Sequence, residues 1–268
     1  PSQTFQYLGM VFNTVEWTVR PSTDRMDRLR SAIQALLGRA QASARELAQV
    51  LGAMEAMVPL VPLAGVHKRP FQREFSSRWS HNDWEVIIPL GDWFERTTRI
   101  WLSDGFLSRG VPITSPQPVA ELYTDASQLG WGAHALGRNV SGTWDSTTAT
   151  THINSLELQA VALALRALAP HLPVGHVRVR SDNATAIAYI NRQGGTVSHS
   201  LSVEAEALHI WAQENGFSLT AVHIQGKSNC LADLLSRPGS IVQTEWTLTH
   251  EALLPVWERF GKPLIDLF

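Results

Sequence analysis

Residues 155–169, "SLELQAVALALRALA", limit the possible folds more than any other stretch of the chain. On a helical wheel Val161, Ala164 and Leu165 share the face of Glu157, while Leu158, Ala162 and Ala169 cover another, so no side reads as water-facing before Arg166. Such a helix is buried, and it takes Glu157 in with it. A buried carboxylate is costly unless it is paired, hydrogen-bonded or coordinated to a cation. A structural explanation exists: an acid near the positive end of the helix dipole, behind a cap at Asn154 or Ser155. Whether other acids accompany Glu157 decides between the two.

The surroundings of this helix predict an α/β fold. Strands are expected at "AELYTDAS", around "GWGAHAL" and at "SGTWD" before the helix. After it come the strand "HVRVRSD", the helices "NATAIAYINR" and "SLSVEAEALHIWAQEN", the strand "SLTAVHI", and a last helix over 229–236. Three strands in a meander followed by alternating helix and strand indicate a mixed sheet with helices packed on it. The first part of the chain differs. "TFQYLGMVFNTVEWTV" predicts a hairpin broken at Asn13-Thr14. "RPSTDRMDRLRSAIQALLGRA" predicts an amphipathic helix capped at Ser22, Thr23 or Asp24, stopped at Gly38, with Arg25, Arg28 and Arg39 on one face. Ser43 and Glu46 have capping-box spacing for a second helix ending before Pro59. Residues 76–110 are tryptophan-rich with a helical pattern closing at Gly110, and "VPITSPQPVA" predicts a tether and domain boundary.

At 268 residues, with 44% hydrophobic and 17% charged residues, the chain has the composition of a globular protein with a real core. It has no apolar run of membrane-spanning length and no secretory signal pattern, so an intracellular location, cytoplasmic or nuclear, is expected. The single cysteine, Cys230, excludes an internal disulfide, and no Cys/His cluster has zinc spacing. Charge is uneven: residues 20–80 hold ten Lys/Arg against five Asp/Glu, whereas residues 111–268 hold nine against thirteen. A modest surplus of this kind suits phosphate in one part and metal in the other, or simply solvated helix faces.

Three further acids lie at the ends of buried elements: Asp125 closing "LYTDAS", Asp182 closing "VRVRSDN", and Asp233 in "NCLADLLSR". Each alone fits a turn residue or a cap. If the first strand is central and its neighbour carries Asp182, all four carboxylates can meet at one edge. Four acids in one pocket repel, so such a cluster implies a cation. Magnesium suits it, with hard oxygen ligands and an incomplete protein shell. Two ions about 4 Å apart would activate a water and stabilise the leaving oxygen in an attack at phosphorus.

"YTDASQLGWGAHAL", "INSLELQAVALAL", "VRSDNATAIAYINRQGG" and "VHIQGKSNCLADLLSRP" closely resemble the ribonuclease H domain of retroelement reverse transcriptases. The likeness is nearest to the DIRS and Ngaro group of tyrosine-recombinase retrotransposons, with gypsy-like elements and pararetroviruses further off. The resemblance implies a ribonuclease H-like mixed five-stranded sheet with flanking helices, preceded by a small helical thumb-like domain. It implies a palm-end, primer-grip-like hairpin over 1–20, a thumb-like unit over 21–75, connection helices and tether over 76–118, the ribonuclease H domain over 119–239 and an extension over 240–268. It also implies catalytic metal ligands at Asp125, Glu157, Asp182 and Asp233, with two Mg2+ ions that Mn2+ can replace. The paired-aspartate polymerase motif is absent, so the chain is expected to be the rear part of a larger protein whose fingers and palm are its partners.

The expected substrate is an RNA–DNA hybrid or a primer/template duplex. Ser127, Asn154 and Asn183 would read the 2′-hydroxyl-bearing minor groove by shape, and Lys227 and Asn229 lie where substrate approaches. Arg25 and Arg28 would hold phosphates at a distance. His223, without an orienting partner in the sequence, is a weak candidate base. Two alternatives to an active hybrid nuclease stand: a catalytically silent duplex-binding fragment, and a transposase or exonuclease on the same fold. The order Asp, Glu, Asp, Asp fits neither of the latter.

Overall fold

A computed structural model describes residues 2–80 and 83–237, with positions 257, 259 and 261. All but three positions of the expected extension over 240–268 therefore lie outside the described residues. Residues 1–238 form one compact unit and 239–268 a second.

The chain opens with β1 (Thr4–Tyr7), β2 (Met10–Asn13) and β3 (Thr18–Pro21), which pair antiparallel. The expected hairpin is thus a three-stranded meander. Its unforeseen first turn is Leu8-Gly9, both at positive φ, the backbone a two-residue turn requires. The second turn falls at the foreseen break, where the Asn13 side chain accepts from the Val15 and Glu16 N–H groups.

Ser22 caps α1 (Thr23–Gln34) by accepting from the Arg25 N–H. β4 (Gln41–Ser43) leads into α2 (Ala44–Glu55), whose start is the foreseen capping box of Ser43 and Glu46. α3 (Ala64–Arg78) crosses the expected division at residue 75. β5 (Ile87–Pro89) pairs with β4, and α4 (Asp92–Thr98) and α5 (Asp104–Leu107) follow. The tryptophan-rich segment is therefore only partly helical. Leu29, Ile33, Leu47, Met54, Phe71, Trp101 and Leu107 close a first apolar core over these elements. The proline-rich stretch begins as β6 (Val111–Pro112), tied to β3 as the fourth strand of the opening sheet.

The second core lies beyond it. β7 (Ala120–Ala126), β8 (Gly130–Ala135) and β9 (Arg138–Thr143) form the meander; β9 starts and ends earlier than the expected "SGTWD". α6 (Ile153–Leu168), β10 (Gly175–Ser181), α7 (Ala184–Asn191), α8 (His199–Glu214), β11 (Phe217–His223) and α9 (Cys230–Leu235) complete it. The strand order is β11-β10-β7-β8-β9, with β10 parallel to both neighbours and β8 antiparallel to β7 and β9. The result is the expected mixed five-stranded sheet with flanking helices, preceded by smaller helical elements. Leu122, Val177, Val179 and Ala221 from the sheet pack with Leu156, Val161, Leu165, Ile190 and Leu208 from the helices.

One glycine matters for the site. A Cβ on Gly132 of β8 would lie 2.4 Å from the Leu235 Cβ and 2.5 Å from the Ser236 backbone N, so only glycine lets the end of α9 seat on the sheet. Among the described residues no helix is long and apolar enough to cross a membrane.

Candidate metal centre

The acids meet because of strand order and register. β10 pairs with β7 so that Val177 faces Ala120 and Arg180 faces Tyr123. Continuing that register by two residues brings Asp182, just past the end of β10, level with Asp125 near the end of β7. Parallel strands place both at one sheet edge. Glu157, the fifth residue of α6, comes to the same edge. Asp125, Glu157 and Asp182 each offer an oxygen, and these oxygens lie within 4.8 Å of one another.

Asp125 is 7% exposed and Glu157 4%, while Asp182 opens to solvent. Burial pushes the Glu157 carboxyl up to about 8, and the charges of Asp125 and Asp182 add to this against the Ala126 backbone N–H. Burial also pushes Asp125 up to about 6; the Ser236 hydroxyl opposes the shift, and Asp182 and Asp233 reinforce it. Glu157 Oε2 is buried without a hydrogen-bond partner. A buried acceptor left bare beside two other carboxylates is a poor structural element and a good oxygen ligand. The three residues thus suit one hard divalent cation.

The fourth expected ligand is placed differently. Asp233 lies near enough to raise Asp125, but its Oδ1 accepts from Arg237 Nη2 at 2.6 Å and Nε at 3.1 Å. Ser236 lies against Asp125: its single hydroxyl proton is shared between Asp125 Oδ2 at 2.7 Å and the Asp233 backbone carbonyl oxygen at 2.8 Å. Sequence reasoning missed Ser236 and Arg237, although an arginine four residues after an acid on a helix is a readable pairing signal.

The cap of α6 needs correction. Helix begins at Ile153, so neither Asn154 nor Ser155 is the cap; His152 is, its Nδ1 accepting from the Asn154 N–H at 3.1 Å. Asn154 Oδ1 instead accepts from Asn183 Nδ2 at 2.9 Å, joining two of the expected minor-groove residues at the rim of the carboxylates. Asn183 also caps α7 through the Ala186 N–H.

Ser127 is held in the β7–β8 turn, donating to the Ser236 carbonyl and accepting from the Leu129 and Gly130 N–H groups. Asn229 is 1% exposed and donates to the Thr124 carbonyl at 2.9 Å; it fixes the approach to α9 and makes no side-chain cap. Lys227 and His223 are exposed. In the helical part, Arg25 donates to the Leu8 and Ala56 carbonyls and Arg28 pairs with Asp24. A cavity of about 660 Å³ is lined by His152, Asn154, Ser155, Tyr189, Leu201 and Glu204 among others, and none of the three clustered acids lines it.

No family model and no curated protein matches the chain. Among solved structures it is similar to the RNase H1 of the halophilic archaeon Halobacterium salinarum NRC-1, with 21% identity and a TM-score of 0.34 over 43% of this chain and 92% of that one. It is also similar to the foamy viral protease-reverse transcriptase in complex with an RNA/DNA hybrid, with 12% identity and a TM-score of 0.33 over 92% of this chain and 32% of that one. The same viral protein in complex with dsDNA gives 12% identity and a TM-score of 0.34 over 82% of this chain and 45% of that one. The chain spans under half the length of these viral proteins. Strand order, register and the carboxylates define the class, a mixed α/β domain with an acidic oxygen-donor site at its strand ends.

Proposed function

We propose that this chain hydrolyses the RNA strand of RNA–DNA hybrids with divalent cations, as the rear part of a retroelement reverse transcriptase of DIRS or Ngaro type acting in the cytoplasm or nucleus. The observation that carries this is the convergence of Asp125, Glu157 and Asp182 around a bare, buried Glu157 Oε2. The domain limits given by the resemblance, with 119–239 as the nuclease, belong to the same proposal, as do fingers and palm as partners.

Bound Mg2+ ions would supply an activated water and stabilisation of the leaving oxygen. The protein's own groups do the rest. Asp125, Glu157 and Asp182 would hold one ion, and Asp233 with Asp125 would hold a second. The apolar packing around Glu157 excludes water behind it and holds its carboxylate beside those of Asp125 and Asp182. The Asn154–Asn183 pair, at the rim, orients the 2′-hydroxyl-bearing strand by hydrogen bonds that read shape and not sequence. Ser127 and Asn229 hold the β7 end and the α9 segment in place, and Lys227 meets phosphate. Arg25 and Arg28 steer the far part of the duplex through phosphate charge, Arg28 after exchange from Asp24.

The test is cleavage of an end-labelled hybrid. With Mg2+ the RNA strand is expected to be cut, and Asp182→Asn or EDTA is expected to abolish cutting without unfolding the protein. Full cutting by Asp182→Asn overturns the proposal. The Asp233–Arg237 pair favours a second possibility, a duplex-binding fragment with silent chemistry. A gel shift of the hybrid with no cleavage at any Mg2+ or Mn2+ concentration would select that one.

A further inference from the structure

We infer that Arg237 is a built-in counter-cation that occupies the electrostatic place of the second metal ion, so that the free protein binds one ion tightly and the second only in competition with this guanidinium. The inference rests on the metal reading of the carboxylate cluster above.

Three observations support it. Asp125, Glu157 and Asp182 form a set complete enough for one ion, without Asp233. Asp233 presents the same oxygen, Oδ1, to two nitrogens of Arg237, so one of its two carboxylate oxygens is engaged by a positive charge. Ser236, one residue before Arg237, donates to Asp125 and holds the segment against the cluster, with Gly132 allowing the close seat. The guanidinium therefore stands at the Asp125–Asp233 side of the site and reduces carboxylate repulsion there.

The strength of the pair suits a replaceable occupant. Arg237 and Asp233 are half-exposed, with side chains 58% and 45% accessible, and exposed ion pairs of this kind shift equilibria by only about two- to fivefold. Repulsion between the guanidinium and an incoming divalent ion adds to that, so removing the charge is expected to tighten the second ion by about tenfold in total.

The experiment is calorimetric titration of the metal-free chain with Mn2+, with electron paramagnetic resonance counting bound ions. Wild type is expected to bind one ion tightly and a second weakly. Arg237→Gln is expected to tighten the second by about tenfold and leave the first within about twofold. Arg237→Lys, which keeps the charge, is expected to stay near wild type. Asp233→Asn is expected to abolish the second ion in either background, the cross-check that the gain passes through Asp233. Unchanged second-ion affinity in Arg237→Gln overturns the inference, as does a gain that survives Asp233→Asn. Failure of wild type and Asp125→Asn alike to bind any Mn2+ overturns the metal reading itself, a different result from one ion bound with no effect of Arg237.

Discussion

Glu46 and Glu157 are both glutamates in the opening turns of helices, and they are opposites. In the helical part, Glu46 accepts from the Ser43 N–H and hydroxyl and from Arg39, which together hold its carboxyl down to about 2. In the sheet part, Glu157 sits 4% exposed with a bare oxygen and two acids for neighbours, and is pushed up to about 8. A carboxylate that finishes a helix is surrounded by donors. One that awaits a cation is surrounded by acceptors, and the surrounding structure holds it there at a cost. The difference separates the two carboxylates by role: Glu46 is satisfied by donors at its own helix start, whereas Glu157 belongs to a three-acid set that suits a divalent cation.

The largest effect expected from breaking this contrast is on Glu157. Glu157→Gln is expected to lower hybrid cleavage by more than about a hundredfold, above the range of loss for metal-supporting groups, measured as initial rate at saturating Mg2+. The same change is expected to stabilise the metal-free protein at pH 8 by on the order of 2 kcal/mol, read by urea denaturation in EDTA. The sign follows from linkage. Glu157 binds its proton more tightly folded than unfolded, so the stability it contributes is present below pH 4.5 and is lost as pH rises through about 8. Wild type in EDTA is therefore expected to weaken between pH 5 and 8, and divalent ions to reverse the trend; a flat profile in EDTA would count against the bare-carboxylate site.

Next in size is Gly132→Ala. Its methyl meets backbone at 2.5 Å, where nothing flexible can yield, so about 1–3 kcal/mol of stability is expected to go, along with tight Mn2+ binding as the Ser236–Asp125 contact shifts. Glu46→Gln sharpens the comparison from the other side. About 1 kcal/mol is expected from the weakened capping box, with ion binding unchanged in calorimetry. Glu46 contributes stability that is present above pH 4.5 and lost as pH falls through about 2, the reverse of Glu157, and reduced by its solvent exposure. The smallest effect belongs to Gly65→Ala in α3. Its methyl would meet the Gln193 Oε1 at 2.5 Å, the far end of a flexible side chain that also accepts from the Val66 N–H, so less than about 1 kcal/mol is expected.

Much of this was legible from local pattern. Alternation along "AELYTDA" and "HVRVRS" marked the strands, the Ser43 and Glu46 spacing marked the cap of α2, and the apolar wheel of α6 showed that Glu157 is buried. The misses have physical causes. Leu8 in a positive-φ turn carries no residue signal, because the cost is absorbed by pairing of the flanking strands. His152 as a cap is invisible to a search for Ser, Thr, Asn and Asp. Asn229 and Ser127 read as polar groups free to meet substrate, whereas buried carbonyls at Thr124 and Ser236 claim their hydrogen bonds.

By itself the sequence determined the elements of the second core, their order, and that four acids stand at or near their ends, since helix and strand periodicity and turn chemistry are properties of neighbouring residues. Only the tertiary structure decided that β7 lies between β10 and β8, that register brings Asp182 level with Asp125, and that Asp233 pairs with Arg237. Strand order and side-chain pairing depend on contacts between residues far apart in the chain, where a shift of one residue in register turns a ligand away from its ion.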